Sequence, residues 1–167
     1  SLSGEGGPMR TEPLDMRFEQ EFAELDDAFD KLDVITSTLS RLPLVTPIAS
    51  GLYSSTSGYG NRIDPFSGRY AFHSGADLGS AQGTSVLASA PGVVLVADRK
   101  GAYGNMVEID HGNDITTRYG HLSRFAVWQG RDVKRGDILG YVGATGRATG
   151  PHLHYEVYQS GRQVNPL

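Results

Sequence analysis

The 167-residue sequence predicts a mainly β domain, an antiparallel β-sheet sandwich or groove, preceded by one long amphipathic α-helix. Three features of the chain carry this expectation. Apolar residues recur at helical spacing only near the start, short β-rich runs bounded by turn residues fill the chain after Ser50, and helix signals nearly vanish there. The length suits one domain with room for a sizeable core, plus an appendage.

Taken in order, the opening Ser1-Leu-Ser-Gly-Glu-Gly-Gly-Pro8 has the composition of a flexible linker or an expression remnant, and residues 1–13 are assigned to it. From Leu14 to about Arg41, Leu14, Phe18, Phe22, Leu25, Phe29, Leu32, Ile35 and Leu39 follow at intervals of four, four, three, four, three, three and four. The residues between them, among them Glu19, Glu21, Glu24, Asp26, Asp27, Asp30, Lys31 and Asp33, are polar and mostly acidic, so residues 14–42 read as a helix with one apolar stripe. At ~1.5 Å per residue such a helix extends roughly 40 Å, longer than one wall of a compact domain needs. Its stripe requires a cover, either its own domain or a second helix in a short coiled coil. The other reading is an inhibitory or partner-binding arm, through which the chain self-associates or meets an envelope partner.

Pro43 and Pro47 end the helix, because proline cannot continue the hydrogen-bond ladder and restricts the residue before it, and the domain boundary is placed there. Residues 43–167 form the second domain. Turns are expected at Gly58 to Gly60, Asp64-Pro65, Ser67-Gly68, Pro91-Gly92, Gly112-Asn113 and Gly130. The strands predicted between them are Gly51 to Ser55, Ser85 to Ala88, Val93 to Asp98, Met106 to His111, Ile115 to His121, Ile138 to Val142 and His152 to Gln159.

Composition excludes several function classes. A formal charge of −4 and a pI near 5.7, with no Lys/Arg run, argue against a nucleic-acid binder. The absence of Cys removes a disulfide scaffold, a thiolate zinc site and a thiol nucleophile. The sequence shows no apolar run of membrane-spanning length and no signal-like start, and an anchor removed from a longer protein would leave no trace in it.

Chemistry concentrates in three segments. Alternation along a strand puts His152 and His154 on one face, where one imidazole can bind a metal while its neighbour handles protons. His73-Ser-Gly-Ala-Asp77 is an imidazole and a carboxylate four apart, with Ser74-Gly75 favouring a strand-to-loop bend over a helix. Tyr119-Gly-His121 adds an imidazole at a strand end. Alone, His73/Asp77 and His121 read as surface or packed residues. Together, four of the five histidines lie in segments that an antiparallel sheet can gather. His73, Asp77 and His154 then give two nitrogens and a carboxylate oxygen, the three-ligand pattern of a catalytic zinc site, with Fe(II), manganese and cobalt as alternatives. His121 and His152 would stand beside the metal as general base and oxyanion stabiliser.

The segments Ser57-Gly-Tyr-Gly-Asn-Arg-Ile-Asp-Pro-Phe66, Phe72-His-Ser-Gly-Ala-Asp77, Ala90-Pro-Gly-Val-Val94, Tyr119-Gly-His-Leu122 and Thr145-Gly-Arg-Ala-Thr-Gly-Pro-His-Leu-His-Tyr-Glu156 resemble the lysostaphin-type (LytM-like) zinc metallopeptidases of bacterial cell walls. The resemblance spans nearly all of residues 47–167 in the family's order. It implies a β-sheet groove with one zinc ion at its floor, held by His73, Asp77 and His154, and two catalytic histidines, His121 and His152. It also implies cleavage of peptidoglycan stem peptides or cross-bridges in the bacterial cell envelope, periplasmic or extracellular, and is compatible with a membrane anchor in a full-length protein. Some relatives have lost ligands and only activate other cell-wall hydrolases; the intact set here favours an enzyme over a non-hydrolytic peptidoglycan-binding protein or activator. Both a D-Ala to diaminopimelate cross-link and a glycine-rich bridge suit the catalytic set, and family inference favours the former.

Other residues read as follows. Asn61, Arg62 and Asp64 line the groove or, preferably, serve turn chemistry at Asn-x-x-Asp-Pro. Tyr70 reads equally as an oxyanion partner or an exposed loop tyrosine. His111 reads as structural, Gly143 to Gly150 as the turn delivering His152, and Glu156 as a partner orienting a ligand imidazole or as a solvated residue.

Overall fold

A computed structural model describes residues 13–167; apart from Pro13, the expected linker at 1–13 lies outside them. The described residues divide into two compact units, one ending at Leu39 and the other running from Ser40 to Leu167. In the first, the helix α1 (Pro13–Arg41) runs unbroken for 29 residues. Its stripe residues Phe18, Phe22, Leu25, Phe29, Leu32, Ile35 and Leu39 are each at least half exposed in the single chain. In the second unit, the Arg135 guanidinium donates to the carbonyls of Ser40 and Leu42 at 2.8 and 3.2 Å. These bonds satisfy acceptors that a helix end leaves open.

The second unit contains β1 (Ser54–Ser57), β2 (Gly60–Ile63), β3 (Tyr70–His73), β4 (Ala76–Gly79), β5 (Ser85–Leu87), β6 (Gly92–Lys100), β7 (Gly104–Gly112), β8 (Ile115–Leu122), β9 (Arg124–Phe125), β10 (Asp132–Val133), β11 (Ile138–Tyr141), β12 (His152–Gln159) and β13 (Arg162–Val164). Eight form one sheet in the order β1-β4-β12-β8-β7-β6-β10, with β13 also on β12; β5-β11-β9 form a second sheet, and β2-β3 a hairpin. The pairings are antiparallel.

Alternation decides which face does what. Leu153, Tyr155 and Val157 of β12, Leu78 of β4 and Tyr119 of β8 enter a buried core with Val86 of β5 and Leu139 of β11. His152, His154 and Glu156, the intervening residues of β12, therefore belong to the other face, as does Asp77. Register then places the chemistry, because His154 lies opposite Asp77 on one side and Gly120, next to His121, on the other. The strands foreseen at Ser85, Val93, Met106, Ile115, Ile138 and His152 form within a few residues of the expected limits, whereas the first begins at Ser54, after a turn through Gly51 at φ 82°. Strands β2, β3 and β4 and the short β9, β10 and β13 were not foreseen. The β2-β3 hairpin is half exposed and lacks apolar alternation, and the bend at Ser74-Gly75 separates β3 from β4.

Candidate metal centre and active site

The bend between β3 and β4 carries His73 and Asp77 to β12. It needs glycine at position 75, since a Cβ there would sit 2.4 Å from the Tyr155 carbonyl and 3.0 Å from His154 Cε1. This close approach lets His73 of the hairpin, Asp77 of the large sheet and His154 of β12 meet. His73 Nε2 and His154 Nδ1 are 3.2 Å apart, His154 Nδ1 and Asp77 Oδ1 2.8 Å, and His73 Nε2 and Asp77 Oδ1 3.2 Å. All three residues are buried.

The outer hydrogen bonds fix which ring nitrogen faces inward. His73 Nδ1 donates to the Gly58 carbonyl at 2.7 Å, and His154 Nε2 donates to Glu156 Oε1 at 3.0 Å. Each ring thus turns a lone pair toward Asp77 Oδ1 when neutral. Arg62 Nη2 occupies the other carboxylate oxygen, Asp77 Oδ2, at 3.2 Å. Three acceptors converging on one point is an arrangement that a cation satisfies, either a proton on His154 or a metal ion, and two imidazoles with one carboxylate are the donor set that Zn²⁺ takes. Without metal the charges follow this geometry. Burial opposes ionisation of both groups, but the two imidazoles hold the Asp77 carboxyl well below its usual range, and the Asp77 and Glu156 carboxylates raise His154 to about 9.

His121 and His152 complete the cluster, with ring centroids 4.7 Å apart. His121 Nδ1 donates to the Thr145 carbonyl at 2.7 Å, and His152 Nδ1 to the Gly150 carbonyl at 2.8 Å. Both rings therefore keep Nε2 free of these bonds, and His152 Nε2 stands 3.7 Å from Asp77 Oδ1. His121 adopts φ 61°, a left-handed conformation that a histidine holds only when its surroundings impose it. Burial, reinforced by the neighbouring histidines, lowers its pKa to about 4, so it is neutral near pH 7. The five residues open into one groove, also lined by Thr56, Arg62, Asp64, Phe66, Tyr103 and Arg147.

Residues outside the cluster sort clearly. Glu156 is fully buried rather than solvated, and Ser74 Oγ, Tyr103 and Tyr158 donate to its carboxylate beside His154. Asp64 does serve turn chemistry, accepting the Phe66 and Ser67 N–H groups at 2.8 Å, but Asn61 and Arg62 lie in β2. Tyr70 is 84% exposed and outside the groove lining. His111 is buried with both ring nitrogens bonded, and the Gly143 carbonyl accepts the His152 N–H at 3.1 Å, so residues 143–151 do deliver that residue. Sequence reasoning missed Tyr103, in a single 3₁₀ turn at Gly101–Tyr103, and the Arg62 contact to Asp77; neither has a local pattern that points across the fold.

Comparison with known proteins agrees with the lysostaphin-type resemblance. The chain is 48% identical over 123 residues to the DD-carboxypeptidase/endopeptidase Mpg of Neisseria meningitidis serogroup B, covering 74% of this chain and 28% of that protein. It is 46% identical over 106 residues to the peptidoglycan DD-endopeptidase ShyA of Vibrio cholerae, covering 64% and 25%. The chain thus spans about a quarter of the length of these curated relatives. A crystal structure of a zinc-containing peptidase from Vibrio cholerae superposes with a TM-score of 0.68 at 38% identity, covering 72% of this chain and 38% of that one. Residues 71–166, more than half of the chain, match the family described as Peptidase family M23, and the chain belongs to that family.

Proposed function

We propose that this chain is a zinc metalloendopeptidase of the bacterial cell envelope that hydrolyses peptide cross-links of peptidoglycan, at bonds between two D-centres. The observation that carries this reading is the convergence of His73 Nε2, Asp77 Oδ1 and His154 Nδ1 at the floor of an open groove, with His121 and His152 beside them. The D,D-endopeptidases among the relatives support the substrate class.

His73, Asp77 and His154 would hold one zinc ion. When bound, zinc supplies Lewis acidity to a scissile carbonyl and lowers the pKa of water, which removes the need for a covalent nucleophile. The remaining work falls to protein groups. With Nδ1–H committed to backbone carbonyls, each ring works through Nε2. On one of His121 and His152 a bare Nε2 takes a proton from the attacking water, and on the other Nε2 carries a proton and donates it as a hydrogen bond to the oxyanion that develops on the substrate. Thr145 and Gly150 hold the two rings by their Nδ1–H groups, so neither must reorient during reaction. Arg62 keeps Asp77 aimed through a single oxygen. In this reading residues 43–167 form the catalytic domain, and the helix at 14–42 is an arm for self-association or an envelope partner, a role its exposed stripe supports.

The test is mass spectrometry of cross-linked muropeptides incubated with the protein, after chelation and after zinc is restored. Cross-linked dimers should convert to monomers with uptake of one water, only when zinc is present, and the products identify the bond. Intact dimers under every condition would overturn the hydrolase reading in favour of a non-hydrolytic peptidoglycan-binding protein or an activator of other cell-wall hydrolases.

A further inference from the structure

One groove residue has no role in holding the metal or moving its protons. Arg147 lies on the 143–151 segment that delivers His152, and its side chain is 49% exposed in the groove. Its Nη2 donates to both Asp64 oxygens, at 2.9 and 2.8 Å, while its guanidinium carbon lies 4.6 Å from the centre of the Phe66 ring. A single nitrogen makes both of these bonds, so Nε and Nη1 stand outside the ion pair. Asp64 does not depend on Arg147, because the Phe66 and Ser67 N–H groups also bind its carboxylate. An incoming anion can therefore take the guanidinium without stranding a bare carboxylate.

The backbone beneath this side chain is fixed to the site. Arg147 N–H donates to the Ala102 carbonyl at 2.8 Å, and Gly146 at φ 72° packs so tightly that a Cβ would lie 2.3 Å from Gly104 N. Thr145 holds His121 through its carbonyl. Arg147 is thus a cation on a rigid base with an exchangeable partner, two residues from the group that orients a site histidine. The other arginine of the groove, Arg62, is committed to Asp77.

We propose that Arg147 is the specificity-determining residue of the groove, and that it receives the free carboxylate on the residue that supplies the amine of the scissile bond. The proposal rests on the hydrolase reading above. When the cut bond joins two D-centres, as at D-Ala-D-Ala or D-Ala to diaminopimelate, the carbon bearing the scissile nitrogen also bears a free carboxylate. In a glycine bridge that position continues into another amide, which offers no charge to a guanidinium. One residue thereby selects both terminal D-residues and D,D-cross-links over glycine bridges.

The test uses an N-acylated D-Ala-D-Ala peptide as free acid and as C-terminal amide, with zinc-loaded protein. Cleavage is read as the acid-to-amide ratio of kcat/KM, and binding is read by calorimetry in a zinc-loaded His121→Ala background. A charge-assisted bond predicts a preference for the acid of about 10- to 100-fold. Arg147→Gln should bring the ratio near one in both assays while zinc stoichiometry stays at one, and Arg147→Lys should restore part of it. An unchanged ratio in Arg147→Gln, or no acid preference in the unaltered protein, overturns the proposal and leaves the hydrolase reading standing. An Arg147-dependent binding preference without cleavage of either peptide leaves the anchor standing, and the hydrolase reading then falls only if cross-linked muropeptide dimers also stay intact. Should Arg147→Gln fail to fold, the ratio in the unaltered protein and in Arg147→Lys still decides.

Discussion

His121 and His154 are both buried imidazoles within one cluster, with ring centroids 5.8 Å apart, yet the protein engages their nitrogens differently. His154 has carboxylates at both nitrogens, Asp77 at Nδ1 and Glu156 at Nε2, which suits a ring that exchanges a proton for a cation. His121 has only the Thr145 carbonyl at Nδ1 and is held neutral by burial, which suits a proton acceptor. Replacement should separate the two. His121→Ala should keep one zinc per chain and lose roughly 10²- to 10⁴-fold in turnover, the usual contribution of a positioned acid–base group. His154→Ala should lose the metal altogether. Metal analysis and turnover on the same preparations check both, and substantial turnover in the first variant or stoichiometric zinc in the second removes that residue from its role.

At the scale of elements, the site depends on one bend fitting under one strand. Gly75 passes so close to β12 that a methyl group would press on the Tyr155 carbonyl, Glu156 Cγ and His154 Cε1 together. Gly75→Ala should therefore cost about 1–3 kcal/mol as β4 and β12 shift apart, and should weaken metal binding by moving His154 off Asp77. Denaturant titration and a zinc-competition titration measure these two effects; unchanged values in both would show that the bend adapts freely. The same elements show what a reading of the sequence can reach. The alternation His152-Leu-His-Tyr-Glu156 displays its polar face and its core face within five residues, and the two-imidazole face was legible for that reason. The bend at Ser74-Gly75 was legible because glycine and serine break regular structure. The register was not, since it depends on which strand lies beside which: no local pattern states that Asp77 and Gly120 flank His154. The β2-β3 hairpin escaped for a related reason. Its residues gain little burial, so they never acquired the alternation that marks a strand, and Arg62 showed only a turn-like neighbourhood until the fold brought it to Asp77.

At the scale of the whole molecule, a buried polar chain crosses the core beneath the site. His111 Nδ1 donates to the Pro91 carbonyl at 2.7 Å, and its Nε2 is 2.8 Å from Thr117 Oγ1; contacts of 3.0, 2.8 and 2.9 Å continue through the Tyr119 hydroxyl and Ser89 Oγ to the Tyr155 hydroxyl. With Nδ1–H committed to Pro91, Nε2 faces Thr117 Oγ1, the Thr117 hydroxyl donates to that of Tyr119, and the Tyr155 hydroxyl donates to Ser89 Oγ. A second proton on the ring would place a charge among these buried hydroxyls. Burial also disfavours the charge directly and lowers the His111 pKa from its ordinary 6.5, against the raising effects of the Pro91 carbonyl and Asp110. The sign follows from linkage. A histidine whose folded pKa lies below its unfolded one stabilises the fold fully above the unfolded value, and this contribution is lost as pH falls from about 6.5 toward the folded pKa. The His111 contribution should therefore decline between pH 7.5 and pH 5. His111→Gln should be less stable at pH 7.5, where the bonds of the ring are missing, but should lose less on acidification because the titrating group is gone. All other ionisable groups are common to both proteins, so the difference between their losses isolates His111. Chemical denaturation of both at the two pH values gives that difference, and equal losses would show that the polar chain carries no pH dependence.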